Sequence, residues 1–356
     1  MGQDRVQEMD AVLARLGLGR LSSARNLTAH PGRNENWTCS TDRGHRVFVK
    51  RLRGPSRQAR HRLRRSVAFE QVVAGRIADV APASLGWDEP SLLQVWRHID
   101  DAESGADLAA SGKFCADLAT RAGAIIGSVH QLPVGEPLPG CPPGDRRPEL
   151  PSAELLRGLS WPAFSECSAG ELQAWQLMQG DQALAEAVDC LLGREDQAPR
   201  VPAHCDLRLD QFLLADGRLH VTDWEEFRLA DAARDVGSFA GELLHRSVTG
   251  WAALTAPEPL SHEQAMRNCA DGIEKARPLI AAFWSGYRAA RPCHDRDGDL
   301  AVRAAAFAGW HLFDRLLAAA GRSARLSAMH RAAAGIGRAI MCAPVRSAET
   351  IGIGQR

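Results

Sequence analysis

The stretch "AHCDLRLDQFLLADGRLHVTDWEE" (203–226) places two short apolar runs on either side of an Asp216-Gly217 pair. Asp-Gly between two such runs is a strong signal for a tight β-hairpin turn. Because the strands of a hairpin fold back on each other, Gln211, just before the first strand, is expected near Asp223, just after the second. The sequence therefore predicts a hairpin whose open end gathers polar side chains.

The open end of this hairpin carries a high density of charge. The polar residues that flank the two strands are His204, Asp206, Arg208, Asp210, Gln211, Asp223, Glu225 and Glu226. Charge gathered at one point costs free energy unless a cation or a substrate neutralises it. We therefore expect a functional site here, with His204 as a packed structural histidine and Asp210 and Glu226 as solvated or capping residues.

Composition limits the class of protein. The chain has 356 residues, 45% hydrophobic and 24% charged, with zero formal net charge, which is typical of a globular protein of two lobes. Zero net charge provides no general attraction for nucleic acid or a membrane, and no apolar run approaches the roughly 18 residues of a membrane span. The nine cysteines form no C-x-x-C pair, which favours reduced thiols in the cytoplasm.

Helix and strand patterns separate along the chain. Helical spacing is predicted at 6–19 and 56–79, and the segment 25–52 reads as strands joined by turns. "SLLQVWRHID" (91–100) reads as a buried strand that runs into a connector, and the chain from about residue 107 is mostly helical. Strands followed by helices indicate an α+β protein.

A hinge near residue 98 would divide this α+β chain. The predicted domains are an N-lobe of residues 1–98 and a C-lobe of residues 99–356. The first would hold the sheet, and the second the acidic hairpin and the helices.

Lysine is rare in this sequence, with 3 lysines against 40 arginines. Lys50 ends the apolar strand "RVFVK", and a compact ammonium suits a phosphate oxygen in a confined site better than a guanidinium does. A surface lysine at a strand end is the alternative. Glu70 follows in a helix whose preceding stretch contains no acid, so it pairs either with Lys50 or with a neighbouring arginine.

Three further patterns bear on chemistry. A carboxylate at Asp206 suits acceptance of a proton from an attacking hydroxyl, while Gln211 and Asp223 supply oxygen ligands for a hard cation such as magnesium. The loop "HPGRNENW" around Gly32 offers backbone N–H groups that can cover phosphates, although one glycine fits a simple hairpin loop equally well.

The catalytic block "HCDLRLDQ" followed by "VTDWE" resembles the H-x-D-x-x-x-x-N…D-x-E signature of the aminoglycoside phosphotransferase and choline kinase family, relatives of protein kinases. The resemblance spans about residues 25–340 and includes "GRNENW…VFVK" as nucleotide loop and lysine strand, "LLQVWRH" as hinge, "IIGSVHQLP" and "FWSGYRAA". It implies a two-lobed protein-kinase-like fold, with a small N-terminal β-rich lobe and a larger, mostly helical C-terminal lobe. The implied activity is ATP- and Mg²⁺-dependent phosphate transfer to a hydroxyl.

The resemblance also implies roles for individual residues. Asp206 would be the base and Arg208 would touch the transferred phosphate. The implied magnesium ligands are Gln211 and Asp223, and the implied supports of the catalytic loop are His204 and Asp235. The implied nucleotide contacts are Lys50 paired with Glu70, Gly32, Asn34, Val95 and Trp96.

One departure from the signature concerns the metal. Gln211 stands where the family usually has asparagine, one methylene shorter, which puts a second metal ion in question. A nucleotide-binding pseudokinase is therefore an alternative, although the presence of Lys50, Asp206 and Asp223 together favours an enzyme.

The acceptor leaves more alternatives open. The family usually lines its acceptor site with acids that hold cationic aminoglycosides or choline, whereas this chain carries seven arginines between residues 51 and 65 and no acid there. They form either a solvated basic helix or a surface for an anionic partner such as an acidic peptide. Nucleic-acid binding is disfavoured by zero net charge and the lack of interleaved aromatic residues.

A finer resemblance points to a peptide acceptor. The blocks "CDLRLDQFLL", "DWEEFRLADAARDVGSFAGELL" and "RAAAGIGRA" resemble the kinase subunits of class V lanthipeptide and thioamitide pathways. This implies phosphorylation of Ser or Thr in a ribosomal precursor peptide, before a partner lyase eliminates the phosphate. A small-molecule kinase for an aminoglycoside, amino-alcohol or sugar is the alternative.

Overall fold

The computed structural model describes residues 3–23, 27–142, 145, 147–254, 262–292 and 297–354. The chain divides into two compact units. The first contains Met1–Leu108, Val134–Asp145 and Asp210–Phe227, and the second contains Ala109–Pro133, Arg146–Leu209 and Arg228–Arg356. The predicted lobes of residues 1–98 and 99–356 stay a prediction.

Strands and helices are numbered in chain order. The strands are β1 (Thr28–His30), β2 (Glu35–Ser40), β3 (Arg46–Arg51), β4 (Ser84–Asp88), β5 (Leu93–Arg97), β6 (Glu103–Ser104), β7 (Arg200–Ala203), β8 (Phe212–Ala215), β9 (Arg218–Val221) and β10 (Arg228–Asp231). The helices are α1 (Gln3–Arg15), α2 (Ser56–Phe69), α3 (Gly105–Ala110), α4 (Ala116–Gln131), α5 (Ala153–Arg157), α6 (Trp161–Glu166), α7 (Ala169–Gln179), α8 (Gln182–Gln197), α9 (Ala233–Leu254), α10 (His262–Ala290), α11 (Leu300–Ala320), α12 (Ala328–Cys342) and α13 (Pro344–Ile351).

The first unit is built on a five-stranded antiparallel sheet with the order β1-β2-β3-β5-β4. One face of this sheet is covered by the apolar side of α1. The core residues of this layer are Met9, Val12 and Leu13 from the helix and Trp37, Val47, Val49, Leu93 and Val95 from the strands. Because side chains alternate along a strand, Phe48 and Lys50 of β3 point to the opposite face.

Both predicted helices of the first unit are shorter than the sequence pattern indicates. The helix expected at 6–19 ends at Arg15, because Gly17 follows in the left-handed conformation (φ 76) that glycine adopts without strain. The helix expected at 56–79 is α-helical as far as Phe69. Glu70–Ala74 then form a π-helical turn, and the helix ends before Gly75. Glycine is a poor helix former, so it interrupts the pattern there.

The predicted hairpin is confirmed. Strands β8 and β9 pair with Phe212 opposite Val221, and β6 adds a third strand beside β8. Asp216 and Gly217 have φ values of 47 and 72, the two positive values that a type I′ turn requires. The N–H of Thr222 donates to the Gln211 carbonyl oxygen at 2.8 Å, which joins the two ends of the hairpin as the sequence predicts.

The second unit is mostly helical and contains one antiparallel strand pair, β7 with β10. The sequence prediction of helices after about residue 107 is therefore confirmed. In the part of the chain that the structure describes, none of the helices has both the length and the apolar character needed to cross a membrane.

Helices α4 and α10 meet backbone to backbone because glycines line their contact. A Cβ atom placed on Gly123 would lie 2.0 Å from the carbonyl oxygen of Phe283, and one placed on Gly286 would lie 2.0 Å from that of Thr120. No side chain fits in such a gap. This contact brings α10 close enough to α4 for their polar side chains to bond.

We expect Gly123→Ala to overpack this contact and to lower the free energy of unfolding by about 1–3 kcal/mol. Gly193→Ala on α8 is the matched control, since a Cβ there meets nothing within 4 Å. Replacing that glycine with alanine should raise the free energy of unfolding by about 0.4–1 kcal/mol. Urea unfolding measures both values, and equal effects would contradict the close packing of α4 on α10.

Candidate active site

A cavity of about 420 Å³ lies within the first unit, a size typical of small-molecule sites. Its apolar wall includes Phe48, Pro82, Trp96, Ile99, Leu213 and Val221. Its charged residues are Lys50, Glu70, Arg97, Asp223 and Glu225. The cavity is thus aromatic and apolar on some sides and charged on others.

Lys50 reaches the cavity because of its register in the sheet. On β3, Val47 and Val49 face the core below α1, so the alternate residues Phe48 and Lys50 face the cavity. Phe48 stands opposite Trp96 of β5, with ring centroids 6.2 Å apart.

The Lys50 ammonium is buried between two carboxylates. Lys50 is 8% exposed, pairs with Asp223 and lies 2.8 Å from Glu225 Oε2. Burial by itself would lower the pKa of Lys50, but these two carboxylates raise it above its usual value. Lys50 is therefore charged. Its burial agrees with the confined site that the sequence predicts for this lysine.

Glu225 is the centre of a buried network that sequence reasoning did not identify. Besides Lys50, it accepts hydrogen bonds from Arg62 Nη1 at 3.1 Å and from Asn34 Nδ2 at 3.0 Å. The sequence feature that could have identified Glu225 is the D-x-E spacing of Asp223 and Glu225. Its partner Arg62 lies within the arginine run, where the sequence pattern does not distinguish one arginine from another.

Asn34 and Gly32 lie outside the cavity wall formed by the described residues. The Asn34 amide braces the structure instead, since its Oδ1 accepts the N–H of Arg53 at 3.2 Å while its Nδ2 donates to Glu225. Gly32 is exposed. Asn36, two residues further on, lines the cavity. Nucleotide contacts from Gly32 and Asn34 stay predictions.

The expected pairing of Lys50 with Glu70 does not form among the described residues, and helix register explains why. Gln94, which stands opposite Lys50 in the sheet, donates to Ser66 Oγ of α2 at 2.8 Å. Glu70 comes one helical turn later and accepts the Trp96 indole N–H at 3.2 Å. Burial raises the pKa of the Glu70 carboxyl, and the bond from Trp96 opposes this shift.

The side chains of the two predicted hinge residues, Val95 and Trp96, face opposite sides of the sheet because they are neighbours on β5. Trp96 is on the cavity wall, whereas the Val95 side chain is fully buried in the core below α1. The connector that follows contributes His98 and Ile99 to the cavity. Nucleotide contacts from Val95 and Trp96 stay predictions.

Asp223 has an unusual backbone conformation for a residue with a side chain, with φ 67 in the left-handed region. The turn that follows is anchored by Trp224, which stacks on Phe69 of α2 with ring centroids 3.9 Å apart. Asp223 lines the cavity, whereas Gln211 is buried and does not belong to its described wall. Aromatic packing therefore sets the position of the Asp223 carboxylate.

The loop with His204 and Asp206 follows β7 in the second unit and is held by Asp235. The fully buried Asp235 carboxylate accepts the N–H of His204 at 2.6 Å and that of Cys205 at 2.7 Å. Cys205 has φ 66, so these two bonds support a strained backbone. Arg208 Nη1 donates to Asp206 Oδ2 at 2.8 Å.

His130 and Tyr287 extend this support and were not predicted. His130 Nε2 lies 2.9 Å from Asp235 Oδ2, and its Nδ1 lies 3.0 Å from the Tyr287 hydroxyl, which accepts from Arg291 at 2.7 Å. His130 thus bridges the Tyr287 hydroxyl and the Asp235 carboxylate. The bonds of His130 lower the pKa of Asp235, although burial by itself would raise it. The sequence feature that could have pointed to Tyr287 is that it is the single tyrosine of the chain.

The arginine run does not form one solvated face. Arg62 is buried on Glu225, and Arg65 pairs with Asp145 at 2.7 Å and with Glu226 at 3.1 Å. Helical periodicity turns positions 62 and 65 inward and leaves Arg57 and Arg60 exposed on the outer side. The acids of the hairpin are therefore neutralised largely by cations of the protein itself.

The sequence profile of the phosphotransferase enzyme family matches residues 27–279. The chain belongs to this family. The predictions of a protein-kinase-like fold and of an ATP-dependent phosphotransferase are thereby confirmed. None of the curated protein sequences matches the chain.

Solved structures share the fold at low sequence identity. A complex of the amicoumacin kinase hAmiN with AMP-PNP, Ca²⁺ and Ami has a TM-score of 0.52 and 14% identity, with 96% of each chain covered. A choline/ethanolamine kinase family protein from Mesorhizobium loti has a TM-score of 0.52 and 19% identity, covering 98% of this chain and 99% of the other. A streptomycin-ATP-APH(2")-IIa ternary complex has a TM-score of 0.50 and 9% identity, with 99% of each chain covered.

We expect Glu225→Gln to be costly, because it keeps the shape of the side chain but removes the charge shared by Lys50 and Arg62. Breaking a buried charge pair in this way costs about 3–5 kcal/mol, so both the free energy of unfolding and the affinity for ATP should fall. Urea unfolding and the KM for ATP measure these effects. Glu226→Gln, which affects a more exposed pair, is the control and should cost less than about 1 kcal/mol. If the two variants behave alike, Glu225 is not the anchor of Lys50.

Proposed function

We propose that this phosphotransferase moves the γ-phosphate of ATP to an acceptor hydroxyl with the residues identified above. The observation that carries the proposal is the meeting of Lys50 with Asp223 in a cavity whose other walls are aromatic and apolar. A charged end suits a triphosphate, and flat apolar walls such as Phe48 and Trp96 suit a nucleobase.

Lys50 would bind the α- and β-phosphates of ATP. Its ammonium is already charged and held by Glu225, which keeps its position when phosphate oxygens take the place of the Asp223 carboxylate. The network through Arg62 restrains Glu225 in turn. Lys50 thus supplies fixed positive charge, which needs no reorganisation during transfer.

Asp206 would orient the acceptor hydroxyl and accept its proton as the new P–O bond forms and ADP leaves. Support comes from the two bonds of Asp235 to the backbone before Asp206, which restrain the loop. Arg208, bonded to Asp206, would face the charge that develops on the transferred phosphate.

The donor set fits a magnesium ion bound together with nucleotide. Mg²⁺ is commonly held by one or two carboxylates plus substrate phosphates rather than by an all-protein cage. In keeping with this, residues 3–354 as far as described contain no cluster of three or more His, Cys, Asp or Glu arranged for a metal. Asp223 and the Gln211 amide oxygen would be the protein ligands. Bound magnesium would neutralise charge on the β- and γ-phosphates.

For the acceptor we propose Ser or Thr of a ribosomal precursor peptide of lanthipeptide type, whose phosphate a partner lyase later eliminates. The sequence resemblance supports this, and so do Arg57 and Arg60, two exposed cations on one side of α2 that suit an acidic peptide segment. We also propose the cytoplasm, where ATP and reduced thiols coexist, as its location.

A small-molecule hydroxyl is the second candidate acceptor. It is favoured by the structures that share the fold, whose names refer to amicoumacin, choline or ethanolamine, and streptomycin. The two candidates differ in whether the exposed arginines of α2 take part in binding.

Asp206→Asn should lower turnover by about 10²–10⁴-fold, because a positioned acid–base group contributes that much. Nucleotide affinity should change little, since Asp206 is not part of the cavity wall. Transfer of labelled γ-phosphate and ATP binding by calorimetry measure the two quantities. Asp210→Asn, at an exposed acid nearby in sequence, should leave turnover unchanged. Near-normal turnover of the Asp206 variant would show that another residue is the base.

Arg57→Glu combined with Arg60→Glu tests the peptide acceptor. Each exposed pair contributes about 0.2–1 kcal/mol, and the new acids add repulsion, so affinity for an acidic precursor-type peptide should fall several-fold or more at low salt. Binding by the wild type should also weaken as salt rises. Arg325→Glu, at another exposed arginine, is the control. Unchanged peptide affinity, with phosphorylation of an aminoglycoside or amino-alcohol, would favour the small-molecule candidate.

A further inference from the structure

Glu70 is a carboxylate of the cavity that neither the proposed transfer step nor the buried charge network uses. It is half-buried and lies on the cavity wall. Among the described residues, its side chain accepts only from Trp96, whose indole N–H donates to Oε1 at 3.2 Å. No cation of the described chain pairs with it, since Lys50 is held by Asp223 and Glu225. Its second oxygen, Oε2, is therefore an acceptor that the described protein leaves to a ligand of the cavity.

The bond from Trp96 fixes the place of this carboxylate beside an aromatic ring. An indole N–H points outward in the plane of the ring, so a group that accepts from it lies at the rim of the ring rather than over its face. The Trp96 ring belongs to the cavity wall, where Phe48 is tilted by 46° against it. A flat base that stacks on Trp96 therefore has one edge next to Glu70.

The charges of the cavity decide which end of a nucleotide lies near Glu70. A carboxylate without a cation repels phosphate oxygens, whereas the Lys50 ammonium attracts them. The two groups are separate, because Lys50 stands opposite Gln94 in the sheet. Gln94 bonds to Ser66, which lies one helical turn before Glu70. The phosphates of a bound nucleotide thus lie toward Lys50, and its base lies toward Glu70 and Trp96.

We propose that Glu70 is a specificity-determining residue, which recognises the exocyclic amino group of adenine and excludes purines with an oxygen at that ring position. The inference rests on the proposed nucleotide site at Lys50. The amino group of adenine donates to a carboxylate oxygen, whereas guanine and hypoxanthine carry an acceptor there, which a carboxylate repels. Oε2 of Glu70 accepts one N–H of this amino group, while Oε1 keeps its bond from Trp96.

The Trp96 bond gives an amide at this position a definite effect. In Glu70→Gln the amide oxygen is needed to accept from Trp96, so the amide nitrogen, which only donates, faces the base. A donor there repels the adenine amino group and pairs with the oxygen of hypoxanthine. We therefore expect Glu70→Gln to weaken ATP about tenfold or more and to strengthen inosine triphosphate by a similar factor, which reverses the preference.

The test is calorimetric binding of ATP, inosine triphosphate and purine riboside triphosphate to the full-length protein with magnesium. Purine riboside triphosphate carries only hydrogen where adenine has its amino group. The measurements are made at about pH 8, because burial raises the pKa of Glu70 and its carboxyl has to be ionised. The wild type should bind ATP best and inosine triphosphate worst. Glu89→Gln, the same change outside the described cavity wall, is the control and should keep this order.

Glu70→Leu is a second variant, which removes both the attraction and the repulsion, so the three nucleotides should bind it alike. Equal affinity of the wild type for ATP and purine riboside triphosphate would overturn the inference. A preference for ATP that persists in both Glu70 variants would also overturn it, because the amino group then has another partner. If the wild type binds none of the three nucleotides, the proposed nucleotide site itself is wrong, whereas binding without selection refutes only the role of Glu70.

Discussion

The ammonium of Lys50, buried between the carboxylates of Asp223 and Glu225, is the interaction on which the cavity depends. Removing a cation from water is costly, and only opposite charges at hydrogen-bonding distance offset that cost. Two further contacts hold Glu225 in place: Arg62 donates to its other oxygen, and Asn34 donates to the oxygen that Lys50 contacts. The charged end of the cavity is therefore rigid before any ligand binds, which is the condition for strong electrostatic stabilisation of a transferring phosphate.

In each unit, one loop contains a residue with a left-handed backbone that neighbouring residues hold in place. In the first, Asp223 adopts a left-handed backbone that the stack of Trp224 on Phe69 maintains. In the second, Cys205 adopts a left-handed backbone that the buried Asp235 maintains. Strain of this kind persists only where surrounding packing fixes it, and such positions concentrate at functional sites. The proposed metal ligand and the proposed base thus owe their positions to the packing and hydrogen bonds of neighbouring residues.

Pairing of charges within each unit is a second general feature of the chain. Its acids near the hairpin and on α9 are paired with lysine or arginine side chains of the same unit.

The sequence by itself determined the hairpin, the strand of Lys50 and the family, because turn chemistry, alternation and motif spacing are local properties. Asp216-Gly217 favours a tight hairpin turn, and apolar alternation along β3 fixes which side of the sheet Lys50 faces. Tertiary structure alone decided the partners. Glu70 does not pair with Lys50, because α2 is positioned so that Ser66 lies next to Gln94, the residue opposite Lys50 in the sheet. No local sequence pattern encodes this position of the helix. Partner choice depends on distances between segments far apart in the chain, which only the packed structure sets.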